Sequence, residues 1–267
     1  MSRITAAFER LKQEKRKGFI PFITAGDPDL QTTAALAIEL AKSGVTAIEL
    51  GIPFSDPVAD GPVIQRASER ALKHRFGIED VINLIVGIRK QINTPIVLFS
   101  YFNPLLQFGL DRLTRLASAA GVDGILVTDL IPEEGANFLS MCRSRELDNI
   151  LLAAPSTSDQ RLQLIAQEAR GFIYAVSSFG VTGARAEIGA EAQRLVQRLR
   201  RQSNLPVAVG FGISSAEQVA ETWAYADAAV VGSAIVAEIE RLAGASDLVY
   251  RIGDFTRRLQ PDDSTAE

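Results

Sequence analysis

Eight times along this chain a short, almost unbroken apolar run gives way to a stretch with helical spacing. The runs cover residues 18–24, 46–51, 95–101, 124–129, 149–154, 172–176, 207–210 and 228–232. A strand with one wet face alternates apolar and polar residues, whereas a parallel strand covered on both faces does not. Ile96-Val97-Leu98-Phe99 and Gly124-Ile125-Leu126-Val127 are of the second kind. Helices are expected at 30–43, 63–73, 78–91, 110–120, 133–145, 159–170, 190–202, 216–224, 233–242 and 248–259, with a first one at 4–12. Gly44 and Gly121 supply stop signals. Eight strand–helix units in roughly 250 residues predict an α/β fold, a closed (β/α)8 barrel of the TIM type. An extra N-terminal helix and additional helices after strands 2 and 8 complete it. The rival, a doubly wound open sheet, would carry a glycine-rich dinucleotide loop after its first strand, and none is present. No linker-like shift in composition divides the 267 residues. One domain is expected over 1–267, with 260–267 a polar, frayed tail.

Several function classes are excluded by what the chain lacks. A net charge of -4 argues against nucleic acid or an anionic membrane as the main partner. The start has no apolar signal run and no stretch reaches the length of a membrane span, so a cytoplasmic protein is expected. Cys142 is the only cysteine and His74 the only histidine, which leaves no disulfide framework and no multi-histidine or cysteine-cluster metal site. His74 lies near an expected helix end, a setting for a solvated histidine. No lysine follows Lys90, so Schiff-base chemistry from the second half of the chain is impossible. Catalysis falls to carboxylates, Tyr, Ser, Thr and backbone groups.

In such a barrel the chemistry lies at the C-terminal ends of the strands. The second strand ends in the run E-L-G-I-P-F-S-D-P-V-A-D-G-P over residues 49–62. Side chains alternate along a strand, so Ala47, Glu49 and Gly51 share one face while Ile48 and Leu50 share the other. A carboxylate among small and apolar neighbours loses solvation, which raises its pKa and suits it to move protons. Pro53, Pro57 and Pro62 then stiffen a loop that carries Asp56 and Asp60. Glu49 paired with a structural Arg, and a loop that only connects, is the plain alternative. Glycines cluster in three later loops, at Gly180 and Gly183, at Gly210 and Gly212, and at Gly232 before Ser233. They suit either tight turns or a phosphate held by backbone N–H groups. Phe22, Phe99, Tyr101 and Leu152 could line a pocket for a flat apolar group or simply fill the barrel. Asp129 also ends a strand, but helix entry is the commoner use of such an aspartate.

The run I-E-L-G-I-P-F-S-D-P-V-A-D-G-P at 48–62 closely resembles the signature of the tryptophan synthase alpha chain family. So do F-I-T-A-G-D-P near the start, F-G-V-T-G in loop six, V-G-F-G-I-S after strand seven and V-V-G-S-A-I-V at strand eight. The match runs in order over roughly residues 5 to 258, while Ser177-Ser178-Phe179 fits no fixed pattern. The resemblance implies retro-aldol cleavage of indole-3-glycerol phosphate to indole and glyceraldehyde 3-phosphate without a cofactor. It implies Glu49 as general acid/base and Asp60 as the acceptor of the indole N–H. Tyr174 would lie beside Glu49 and orient substrate, and Phe22, Phe99, Tyr101 and Leu152 would hold the indole. Gly183, Phe211, Gly212, Gly232 and Ser233 would bind the phosphate, and Thr182 would latch the closed Asp60 loop. A partner is implied too, the pyridoxal-phosphate beta chain of tryptophan synthase, in an alpha2beta2 tetramer. A free-standing lyase, or a silent barrel that only regulates a beta chain, is compatible with the same resemblance. An unrelated phosphosugar isomerase would share the glycines but not the run at 48–62.

Overall fold

The computed structural model describes residues 1–176, 185–210 and 212–261, with the backbone alone for 185–188. The eight strands are β1 (Gly18–Thr24), β2 (Ile48–Gly51), β3 (Ile96–Ser100), β4 (Gly124–Val127), β5 (Asp148–Ala153), β6 (Ile173–Val176), β7 (Val207–Gly210) and β8 (Ala228–Val231). They pair in chain order, all parallel, and β1 closes on β8. The described helices are α1 (Arg3–Gln13), α2 (Leu30–Lys42), α3 (Pro62–Leu72), α4 (Ile78–Arg89), α5 (Phe102–Phe108), α6 (Leu110–Ala120), α7 (Pro132–Ser144), α8 (Asp159–Glu168), α9 (Arg185–Arg200), α10 (Ala216–Trp223), α11 (Ser233–Leu242) and α12 (Leu248–Leu259). None of the described helices is long and apolar enough to cross a membrane.

Alternation along each strand divides the core into two layers. Ile20 and Phe22 of β1 point into the barrel, with Val97, Phe99 and Leu126 from the next strands. Phe19 and Ile23 point outward, against the helices, with Ile48, Leu50 and Leu98. The α1 helix stoppers the N-terminal end of the barrel, where Phe8 meets Phe172 at 5.7 Å between ring centroids. Ser2 caps this helix through the Thr5 N–H, and Arg3 ties it to buried Asp123 at 2.7 Å. The floor is therefore sealed, and the open end is the one at which the strands finish.

Two elements depart from the sequence expectation. Residues 102–108, between the expected strand at 95–101 and the expected helix at 110–120, form α5. Pro104 stands in its first turn, where a proline removes no helical hydrogen bond, and buried Leu105 packs it against the core. The α9 helix starts at Arg185 rather than 190, because the glycines of the preceding segment suggested a longer loop.

The loop bearing Asp60 lands on α3, and α3 is bolted in place. Arg70 of α3 makes a bidentate pair with Asp27 after β1, both contacts at 2.8 Å, and reaches Glu240 of α11 at 2.7 Å. Asp27 is 2% exposed, so removing its partner leaves a buried charge uncompensated. Arg70→Met is expected to lower stability by about 3 kcal/mol, read as a fall in urea midpoint with unchanged m-value. Arg112→Met breaks an exposed pair with Glu79 and removes a guanidinium 4.5 Å over the Phe108 ring, and is expected to cost no more than about 1–2 kcal/mol. Equal shifts for the two variants would show that the Arg70 pair is not a bolt.

Candidate active site

Glu49 sits in the middle of β2, directly across from Phe22 of β1 and Val97 of β3. Its neighbours along the strand, Ile48 and Leu50, face the outer layer, so its side chain enters the barrel. It is 1% exposed, and neither carboxylate oxygen has a hydrogen-bond partner among the described residues. The structural arginine of the plain alternative is not there among the described ion pairs. Burial alone pushes this carboxyl up to about 8, so it is held protonated at neutral pH. A buried polar group without a partner is costly, which makes Glu49 a candidate for a functional position.

Asp60 arrives from the loop between β2 and α3. It is half-buried, and burial raises its carboxyl to about 6, against the opposing effect of a hydrogen bond from the Tyr101 hydroxyl. Its main chain is tethered on each side. The Asp60 N–H donates to Pro57 O at 3.0 Å, and the Asp60 carbonyl accepts from Gln65 Nε2 at 2.9 Å. Two acids are thus presented to one space in different states. Near pH 7 one is neutral and the other largely ionised, a separation that suits one to an acid role and the other to an electrostatic one.

The apolar residues named from sequence gather around them. Phe22 and Phe99 meet edge to face at 5.1 Å, and Leu152 and Tyr174 join the same inner cluster. Tyr174 lies within electrostatic reach of both acids: burial, then the charges of Glu49 and Asp60, raise its hydroxyl well above its ordinary value. Tyr101 belongs to this wall but differs from the others. Its ring stacks obliquely on Phe54 at 5.4 Å, and its hydroxyl accepts the Ala59 N–H at 2.9 Å. On the opposite side, Gly210 ends β7 directly against the Tyr174 hydroxyl. Gly212 has φ +81°, which favours glycine. Gly232 and Ser233 open α11, with Gly232 beside Phe22, and the first N–H groups of a helix have no acceptor within it. Thr182, Gly183 and Phe211 lie outside the described residues. Asp129 is an entry residue: it accepts the Phe102 N–H at 2.7 Å at the start of α5.

Two residues of the site escape a reading of the sequence. The Thr24 hydroxyl is buried, on the inner face one step beyond Phe22, and has no partner among the described residues. Gln65 looks like an ordinary surface residue of α3 until its amide is seen on the Asp60 carbonyl. The only local signal for either is its nearness to the runs 18–24 and 48–62.

A family model described as tryptophan synthase alpha chain matches residues 8–259. The tryptophan synthase alpha chain of Solibacter usitatus is 45% identical over 260 residues, covering 97% of each chain. That of Geobacter sulfurreducens is 46% identical, covering 97% of this chain and 98% of the other. Among solved structures, tryptophan synthase subunit alpha from Legionella pneumophila superposes with a TM-score of 0.88 at 38% identity, covering 97% of each chain. A tryptophan synthase complex from Pyrococcus furiosus contains a chain with TM-score 0.81 and 37% identity, covering 91% of this chain and 97% of that one. Similarity of this extent in sequence and in backbone, over a barrel that brings Glu49 and Asp60 to one mouth, has a single meaning: the chain belongs to the tryptophan synthase alpha chain family.

Proposed function

We propose that Glu49 and Asp60 divide the work of the reaction this chain performs as a tryptophan synthase alpha chain, the retro-aldol cleavage of indole-3-glycerol phosphate to indole and glyceraldehyde 3-phosphate. The observation that carries the assignment is Glu49 itself, an inward carboxyl that is buried and has no partner among the described residues, so that burial holds it protonated at neutral pH. A neutral acid gives its proton first. Glu49 protonates the indole C3, and positive charge moves to the ring nitrogen. Asp60, ionised above about pH 6, accepts the ring N–H and stabilises that charge. The carboxylate left on Glu49 then takes the proton of the hydroxyl on the carbon attached to C3. The C–C bond breaks, its electron pair returns to the ring, and the aldehyde is released. Glu49 ends the cycle protonated, as it began, so no outside proton donor is needed. The ring takes up the electrons, which is why neither an imine nor a metal enters the scheme.

Phe22, Phe99, Tyr101 and Leu152 hold the indole and Tyr174 orients it beside Glu49, while Gly183, Phe211, Gly212, Gly232 and Ser233 hold the phosphate and Thr182 latches the loop of Asp60. The chain works in the cytoplasm, docked on a pyridoxal-phosphate beta chain in an alpha2beta2 tetramer. The assembled enzyme from Pyrococcus furiosus supports that association. Passing indole directly to a partner keeps an apolar product from escaping through membranes. Incubation with indole-3-glycerol phosphate, with and without a beta chain, tests both parts. Indole release that rises on adding the beta chain is expected. Release unchanged by it would favour a free-standing lyase, and no release in either case would leave a silent barrel.

The two acids also fix a pH profile. Asp60 must be ionised and Glu49 protonated, so kcat/KM is expected to form a bell with limbs near pH 6 and pH 8. The substrate phosphate titrates near the acidic limb as well. Asp60→Asn separates the two, because the limb near 6 should flatten if it belongs to Asp60. An unchanged acidic limb in that variant would assign it to the substrate.

A further inference from the structure

We infer that Tyr101 is a positioning residue whose hydroxyl holds Asp60 in the orientation that the reaction uses. The inference rests on the reading of Asp60 as the acceptor of the ring N–H. A phenol has one proton to give and lone pairs to receive. The Ala59 N–H already donates to the Tyr101 oxygen at 2.9 Å, so the phenolic proton is left for another acceptor. The Asp60 carboxyl lies near enough to this hydroxyl for each to shift the titration of the other, and it is the acceptor the inference assigns. One hydroxyl is therefore fixed by the backbone just before Asp60 and stands beside its functional group.

The anchor is itself fixed. Tyr101 is 3% exposed, stands at the end of β3 and is the cap residue of α5. The next backbone amide, that of Phe102, is held by Asp129 at 2.7 Å. Its ring is braced by Phe54 from the same loop as Asp60. Gln65 holds the Asp60 carbonyl from the other side. Without these tethers a loop aspartate has several rotamers and a mobile backbone. With them its carboxylate is placed before substrate arrives, and preorganisation of this kind acts on the charged transition state more than on binding. A wall residue would need only its ring, so the hydroxyl is what distinguishes the two roles.

The test is a cycle of Tyr101→Phe, Asp60→Asn and the double variant, assayed for indole release. Affinity for glycerol 3-phosphate and the urea midpoint are measured on each. Tyr101→Phe keeps the ring and is expected to lower kcat about tenfold, the loss of a hydrogen bond to a charged group. KM and glycerol 3-phosphate affinity should stay within about twofold. Added to Asp60→Asn, it should cause less than about a twofold further loss, because the group it positions has gone. A Tyr101→Phe variant within twofold of the parent overturns the inference. So does a loss that multiplies in full with that of Asp60→Asn, or one confined to KM or to the urea midpoint. If Asp60→Asn alone keeps the parent rate, the reading of Asp60 falls and takes this inference with it. If Asp60→Asn is impaired while Tyr101→Phe is normal, only the positioning role is lost.

Discussion

Glu49→Gln is expected to lower indole release by about 10²–10⁴-fold while the barrel stays folded. The amide has nearly the same shape as the carboxyl but cannot give a proton to C3 or take one from the hydroxyl. The variant should also behave unusually in stability. Burial pushes the Glu49 carboxyl up to about 8 in the folded protein, against 4.5 for an exposed glutamate. Between those values the folded protein holds a proton that the unfolded chain lacks. Stability therefore falls as pH rises from about 4.5 to 8, and above 8 the full cost of a buried carboxylate is present. Glutamine carries no charge at any pH, so this contribution disappears. Relative to the parent, Glu49→Gln should gain stability between pH 4 and pH 9, on the order of several kcal/mol for a fully buried group. Urea unfolding of both proteins across that range isolates the difference, since every other titrating group is common to them. Loss of activity with gain of stability is the mark of a residue kept for chemistry. Activity within a few-fold of the parent would remove Glu49 from the mechanism. A stability difference independent of pH would mean that Glu49 is not held protonated.

What the sequence made legible follows the range of the interactions involved. The eight strands were readable because a strand buried on both faces writes itself as a local apolar run. Glu49 was readable for the same reason, as one acid inside such a run. The α5 helix was not, because Asn103 and Pro104 carry turn signals and only packing of Leu105 outweighs them. Asp60 was visible as a loop acid, but its tethers were not. Ala59 and Tyr101 are 42 positions apart, and Gln65 reaches Asp60 only through the geometry of the α3 start. Tyr101 shows the limit most plainly. Its ring was read as a wall, and the role of its hydroxyl appears only when β3 and the Asp60 loop are brought together.

Gly210→Ala is expected to damage the site nearly as much as loss of an acid, through a residue with no side chain. A Cβ at this position would lie 2.1 Å from the Tyr174 hydroxyl oxygen, 2.7 Å from its Cζ and 2.9 Å from Val230 Cβ. All three distances are far inside van der Waals contact, so something must move. Val230 is in a central strand that pairs with β1, and its backbone is not free to yield. Tyr174 is 4% exposed, so its ring cannot swing into water. The ring must instead shift along the inner cluster, towards the space shared by Glu49, Phe22 and Phe99. Overpacking of this kind costs about 1–3 kcal/mol in stability. A displacement of about 1 Å among the groups that orient substrate costs on the order of a hundredfold in rate. The loss should fall on kcat/KM for indole release, with the barrel still folded. Gly61→Ala is the control, next to Asp60 in sequence. Its φ is -72° and no atom lies within 4 Å of the added Cβ. That variant should stay within about twofold of the parent, as surface substitutions away from special features do. Tyr174→Phe in the Gly210→Ala background should recover part of the rate, since it removes the contact at 2.1 Å but leaves the one at 2.7 Å. Near-normal activity of Gly210→Ala would mean that Tyr174 has room to move and does not orient substrate. Full recovery in the double variant would place the whole clash at the hydroxyl.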